Sequence, residues 1–161
     1  MRPEVLWVIE TIYLYLPAYA ANAAPVLFGG GEPLDGGRVW KDGRALLGSH
    51  KTVRGFISGL LVGSAVGVMQ MQPLRGFLMT VGAVLGDLAV SFLKRRIGLR
   101  PGAPLPIADQ LGFIAAAVIL SYPVPPIPEV ERVAAILVLT IPIHLVTNIF
   151  AWLLGLKREP W

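Results

Sequence analysis

Hydrophobic positions along the chain gather into long runs, separated by stretches dense in glycine, proline and charge. Five runs approach or reach the length needed to cross roughly 30 Å of hydrocarbon: Val5–Phe28, Val53–Met71, Leu74–Leu93, Gln110–Tyr122 and Val133–Leu156. The fourth is short for a span. It is set off from the fifth by PVPPIPEVER (Pro123–Arg132), whose prolines and charges cannot continue a lipid-exposed helix. The pattern therefore predicts an all-α, polytopic integral membrane protein with about five transmembrane helices, forming a single membrane-embedded domain over residues 1–161.

Composition agrees. The chain is 55% hydrophobic and 15% charged, with a mean hydropathy of +0.66, outside ordinary soluble usage. A soluble domain of this size could not bury so much apolar surface. The absence of cysteine excludes disulfides, thiolate metal sites and cysteine nucleophiles. Met1–Glu4 is close to neutral, and the run behind it carries polar and aromatic residues with no small-residue cleavage pattern, so it reads as a retained span. No internal repeat is evident.

Charge sets the expected orientation. Of the fourteen Lys and Arg, eleven fall on one side of a five-span arrangement: Arg38, Lys41, Arg44, Lys51, Arg54, Lys94, Arg95, Arg96, Arg100, Lys157 and Arg158. Arg2, Arg75 and Arg132 fall on the other. The positive-inside bias then places the N-terminus outside, and the C-terminus and two long loops, 29–52 and 94–109, in the cytoplasm. That bias accounts for much of the basic charge, and no nucleic-acid partner is read from it.

The two loops, GGGEPLDGGRVWKDGRALLGSHKT and KRRIGLRPGAPLPIAD, are too long and too patterned for passive connectors. Just before the second lies GDLAVSFLKRR (Gly86–Arg96). On a helix, Asp87, Ser91, Lys94 and Arg95 stand at i, i+4, i+7 and i+8 and share one stripe. An ionised aspartate toward lipid costs several kcal/mol, so Asp87 should face the bundle interior, a cation or a metal. Asp109 opens the fourth run at the same level. Two carboxylates flanking Lys and Arg suit a Mg²⁺-bound polyphosphate, with hard oxygens on the metal and cations on the phosphates. The plainer alternatives are an ion pair anchoring the helix end for Asp87 and an N-cap for Asp109.

GDLAVSFLKRRIGLRPGAPLPIADQ resembles the C-terminal signature of the CTP-dependent phosphatidate cytidylyltransferases: a Gly-Asp, a Ser and a Lys-Arg before a Pro-Gly turn and a later Asp. With NAAPVLFGG, PLDGGRVWKDGR and GSHKTVRGF, the chain more closely resembles the small archaeal branch of that group, the CDP-archaeol synthases, over Asn22 to Asp109. The resemblance implies transfer of CMP from CTP to an unsaturated isoprenoid diether glycerol phosphate in the bilayer, with release of pyrophosphate. It implies Asp87 and Asp109 as ligands of Mg²⁺, Lys94, Arg95 and Arg96 as phosphate binders, and Ser91 as a supporting polar contact. The bacterial and eukaryotic signature carries a further acidic residue three positions after the equivalent of Asp109; here that position is Gly112, which offers no ligand.

The first loop adds polar groups. GSHKT is not a P-loop, because two residues separate Gly48 from Lys51 and no strand precedes it. Glycine-flanked N–H groups with Lys51 and Arg54 at the start of the second helix still suit phosphate, although both cations equally suit membrane-flanking anchors. Asn22 and Pro25 lie near the inner end of the first run. The Asn22 amide needs a partner, either a cytosine edge or a neighbouring helix, and the resemblance favours the nucleotide. Asp35 and Arg38 either close the site from above or simply form an Asp-Gly turn. Glu10, His144, Thr147 and Asn148 read as links between helices. Two other functions compete with the transferase: a CDP-alcohol phosphotransferase, whose aspartate-rich DGxxAR signature is missing, and a small transporter or channel, which leaves the patterned loops unexplained.

Overall fold

The first apolar run does not form one helix. A computed structural model describes residues 2–157 and 159–160, which hold six α-helices and no strand: α1 (Pro3–Leu14), α2 (Leu16–Phe28), α3 (Val53–Met69), α4 (Pro73–Arg96), α5 (Ala108–Ser121) and α6 (Val130–Leu153). The break between α1 and α2 falls at Tyr15, because Pro17 has no N–H for the Tyr13 carbonyl and is accommodated only in a first helical turn. The Tyr13 carbonyl accepts instead from Gln70 Nε2. Five predicted runs thus become six helices, and the other four keep their order and approximate bounds.

α3 shows why these helices sit so close. Its buried residues are Gly55, Gly59, Gly63 and Gly67, one every four positions. A Cβ at Gly59 would stand 2.9 Å from the Ala21 carbonyl oxygen, one at Gly63 would stand 2.8 Å from that of Pro17, and one at Gly67 would stand 2.5 Å from Gly76 Cα. The backbone of α2 therefore touches α3 at Gly59 and Gly63 and that of α4 touches it at Gly67, while the Thr80 and Val84 side chains of α4 fill the contact between. The contact at Gly59 also compensates α2 for Pro25, which leaves the Ala21 carbonyl without its i+4 donor; the glycine Cα–H points at that oxygen. α4 and α5 repeat the device, with Gly82 and Gly86 against the Ala116 and Gly112 carbonyls.

Around these seams the core gathers Tyr15, Ala18 and Ala21 with Met79 and Ala83 of α4, Phe113, Ile114 and Ala117 of α5, and Ile136 of α6. Tyr19 and Phe113 meet edge to face at 5.7 Å. α6 is held more lightly. Ile136 and Thr140 are its buried residues, Tyr19 Oη shares a 2.6 Å hydrogen bond with Thr140 Oγ1, and Arg132 reaches Glu10 of α1 at 3.1 Å.

α4 and α6 are long and apolar enough to cross a membrane, with mean hydropathies of 1.8 and 2.2 over their most apolar stretches. The apolar stretch of α4 is 44% buried and that of α6 only 11%, so α6 turns most of its apolar surface outward. α2, α3 and α5 are apolar but shorter.

Candidate active site

At the end of the bundle where α4 finishes and α3 and α5 begin, the two loops fold onto each other. The first is shaped by antiparallel bridges pairing Pro33 with Thr52 and Val39 with Ala45, not by strands. Asp35 organises it from within. Its carboxylate accepts from the backbone N–H of Gly37 at 2.9 Å, Leu47 at 2.8 Å and Gly48 at 3.3 Å. Burial pushes this carboxyl upward, but the N–H groups of Leu47, Gly37 and Gly48 outweigh it and hold the group below the usual aspartate range.

The loops are tied to α4 by its own cations. Arg96 pairs with Asp42 at 2.6 Å and lies 4.8 Å over the Phe92 ring, while Arg44 donates to the Arg96 carbonyl at the helix C-terminus. Trp40 meets Phe92 edge to face at 5.4 Å. A Cβ at Gly48 would stand 3.5 Å from both Arg95 Nη1 and Pro101, and one at Gly102 would stand 3.3 Å from His50 Nε2, so the loop containing GSHKT rests on the Pro-Gly turn.

Two ion pairs stand beneath this cover. Lys51 Nζ, immediately before the α3 N-cap Thr52, donates to Asp87 Oδ1 at 2.7 Å and Oδ2 at 2.6 Å. Lys94 Nζ donates to both oxygens of Asp109 at 2.9 Å. Asp109 is the second residue of α5 and not its N-cap; the cap position is Ile107, at φ +68°, whose N–H is taken by Gln110 Oε1 at 2.7 Å. Released from capping, Asp109 accepts from the Leu105 N–H at 2.7 Å, which fixes the turn entering α5. Arg95, only 4% exposed, gives Nη2 to the Arg100 carbonyl at 3.0 Å, while Nε and Nη1 have no partner among the described residues. Ser91 is buried on the same stripe, between Asp87 and Arg95.

The candidates read from the sequence thus separate. Asp87, Asp109, Lys51, Lys94, Ser91 and Arg95 come to one end of the bundle. Arg96 turns to Asp42 and the first loop. Arg54 is exposed, its side chain running beside Gly31, and Arg38 is exposed on the loop surface. Asn22 is half-buried on α2 and makes no hydrogen bond among the described residues, and Pro25 packs on Gly55 of α3.

α6 also brings polar groups to this end of the bundle. His144 Nδ1 lies 3.0 Å from Asn148 Nδ2, Asn148 Oδ1 accepts from Lys157 Nζ at 2.9 Å, and the His144 ring stacks at 5.9 Å on Phe113. Burial, with Lys51 and Lys94, holds the Lys157 ammonium below the ordinary lysine range against the opposing pull of Asp109 and Asp87. The i, i+4 spacing of His144 and Asn148 was visible in the sequence. The return of Lys157 toward the bundle was not. Gly112 is equally informative: a Cβ there would stand 2.2 Å from Val90 Cγ2, so this position serves helix contact and has no room for an acidic side chain.

Comparison with known proteins gives the same direction. The family described as CarS-like CDP-archaeol synthase matches residues 4–75 and 71–161. The CDP-archaeol synthase of Thermococcus kodakarensis is 47% identical, covering 98% of this chain and 97% of the relative. That of Aeropyrum pernix is 45% identical, covering 96% and 92%. A solved structure of an intramembrane enzyme for archaeal membrane lipids biosynthesis superposes with a TM-score of 0.81 at 38% identity, covering 88% of this chain and 94% of that one. The chain belongs to the CDP-archaeol synthase family.

Proposed function

We propose that this protein transfers CMP from CTP to an isoprenoid diether glycerol phosphate held in the bilayer, at the site formed by Asp87, Asp109, Lys51 and Lys94. The observation that carries the site assignment is the pairing of two carboxylates with two lysines at one end of a bundle built from apolar helices. Family membership supports cytidylyl transfer over phosphotransfer from a CDP-lipid, and over transport. The apolar helices and the intramembrane structural relative mark a membrane enzyme. Our reading is multi-pass, with α1 and α2 forming one broken span, the N-terminus outside and the loops over the site in the cytoplasm, as the distribution of Lys and Arg favours.

The residues fit Mg²⁺. Two carboxylates without a third acidic or histidine ligand among the described residues form no closed cage, and Mg²⁺ commonly takes one or two carboxylates, with phosphates and water completing the octahedron. Asp87 and Asp109 would hold the ion, which supplies charge neutralisation to the polyphosphate. Lys51 and Lys94 exchange their carboxylate partners in part for phosphate oxygens when CTP enters. Arg95 turns its two unpartnered nitrogens to the same charge, and Lys157, held by Asn148, supplies a cation to the lipid phosphate from the α6 side.

A lipid phosphate monoester is already ionised at neutral pH, so it attacks without a dedicated general base. One of its oxygens bonds to the α-phosphorus of CTP, the bond from that phosphorus to the bridging oxygen of the β-phosphate breaks, and pyrophosphate leaves with the electron pair. Positioning and charge neutralisation then carry the rate, as in other phosphoryl chemistry.

The test uses purified protein, Mg²⁺, α-labelled CTP and either a diether or a diacyl lipid phosphate, following label into the organic phase. Label in the diether lipid supports the proposal, and preference for the diacyl substrate would move the protein to the diacylglycerol branch. Asp87→Asn and Asp109→Asn are expected to abolish transfer in protein that remains folded in detergent. Retained turnover in either variant removes that residue from the catalytic set.

A further inference from the structure

At the opposite end of α4, twelve residues and therefore about 18 Å along the helix from Asp87, a cavity of about 250 Å³ opens between the α1–α2 end, the α3–α4 turn and the segment leading into α6. Glu10, Tyr13, Gln72, Arg75, Glu129 and Arg132 are among its walls, two carboxylates with two guanidinium groups. Its charges are unevenly matched. Arg132 is held by Glu10 at 3.1 Å and approached by Glu129 at 3.9 Å. Arg75, only 2% exposed, donates Nη1 to the Pro126 carbonyl, and among the described residues it forms no ion pair and its Nε and Nη2 have no partner. The Tyr15 hydroxyl is likewise buried without a hydrogen-bond partner among the described residues.

A guanidinium buried with two idle donors is costly unless an anion meets it. The local backbone adds to the demand. Arg75 sits in the first turn of α4, whose N-cap Gln72 makes no side-chain capping bond and whose first turn holds no acidic residue, so the positive end of a 24-residue helix points the same way as the cation. The walls also describe the anion's other end: Tyr13 and Ile127 line the cavity yet are 55% and 58% exposed, giving an apolar rim beside the charge.

We propose that this cavity binds the phosphate of an anionic membrane lipid, with Arg75 and the α4 N-terminus on the phosphate and the apolar rim against the lipid chains. The site is separate from the carboxylate–lysine centre and does not depend on the reaction assigned to it.

The test follows thermal unfolding and native mass spectrometry of the purified full chain without CTP, adding dioleoylphosphatidylglycerol, dioleoylglycerol or inorganic phosphate. Wild-type protein is expected to retain one phosphatidylglycerol and to show a saturable rise in Tm that dioleoylglycerol does not produce. Arg75→Gln should weaken retention by about tenfold or more, the usual scale for losing a charge-assisted contact. Gln72→Glu places a carboxylate beside Arg75 and is expected to raise Tm in the absence of lipid while removing the lipid-dependent rise; it decides the matter if Arg75→Gln does not fold. Unchanged lipid retention in folded Gln72→Glu or Arg75→Gln would overturn the proposal. So would a full rise with inorganic phosphate alone, which would make the cavity a free-anion site.

Discussion

Replacing Lys51 with methionine separates a structural anchor from a phosphate ligand. In the structure one ammonium spans both oxygens of Asp87, at 2.7 and 2.6 Å. The side chains are 27% and 37% exposed, so solvent screens the pair and its own contribution to stability should stay near 1 kcal/mol or below. For a chain of this size that corresponds to a fall in Tm of roughly 2–4 °C at most. If Lys51 moves to CTP during turnover, the variant also loses a charge-assisted contact worth about 1.5–3 kcal/mol, or roughly 10- to 150-fold in kcat/KM for CTP. The assay is initial-rate transfer of labelled CMP at several CTP concentrations, alongside thermal unfolding of the same preparation. A variant that loses a few degrees but keeps kcat/KM within twofold would refute the exchange and leave Lys51 as an anchor for the start of α3.

Lys157→Met should raise KM for the lipid phosphate more than for CTP, measured by varying each substrate in turn; an equal effect on both would argue against an acceptor-side role. Gly112→Asp should separate α4 from α5, lowering Tm by an amount matching at least about 1–3 kcal/mol of overpacking, because a Cβ already meets Val90 at 2.2 Å. Asp35 has a folded pKa below its ordinary value, so its stabilising contribution is complete above about pH 4 and is lost as pH falls through the lower folded pKa. Asp35→Ala should therefore cost about 1–3 kcal/mol at neutral pH by leaving three N–H groups unmet, with the gap from wild type closing in acid unfolding titrations.

The helices were legible because runs of apolar residues are themselves the signal, and Asp87, Ser91, Lys94 and Arg95 were legible as one stripe because GDLAVSFLKRR carries them at helical spacing. What the runs concealed was local. Pro17 divides the first run, yet a composition window averages over it. Asp109 looked like an N-cap by position, but the chain turns at Ile107 and hands the capping to Gln110, freeing Asp109 for Lys94. Arg95 and Arg96 are adjacent in sequence and about 100° apart on the helix, so one is buried near the carboxylates while the other holds the loop. Lys157 could not be placed from the sequence, because its position depends on the direction taken by the chain after α6.

The glycine stripe of α3 also sets which side of the bundle can open. Along α2 the seam of touching backbones has no rotamers to rearrange, so parting α3 from α2 would require whole helices to move and would expose carbonyls such as that of Ala21. The small residues of GLLVGSAVG (Gly59–Gly67) thus serve close packing and leave no groove. α6, held by Ile136, Thr140 and a few polar contacts, is the wall that yields at least cost, and Lys157 stands just beyond its end. A lipid arriving from the side would displace least there, so one side of the bundle is a rigid frame and the other a looser wall.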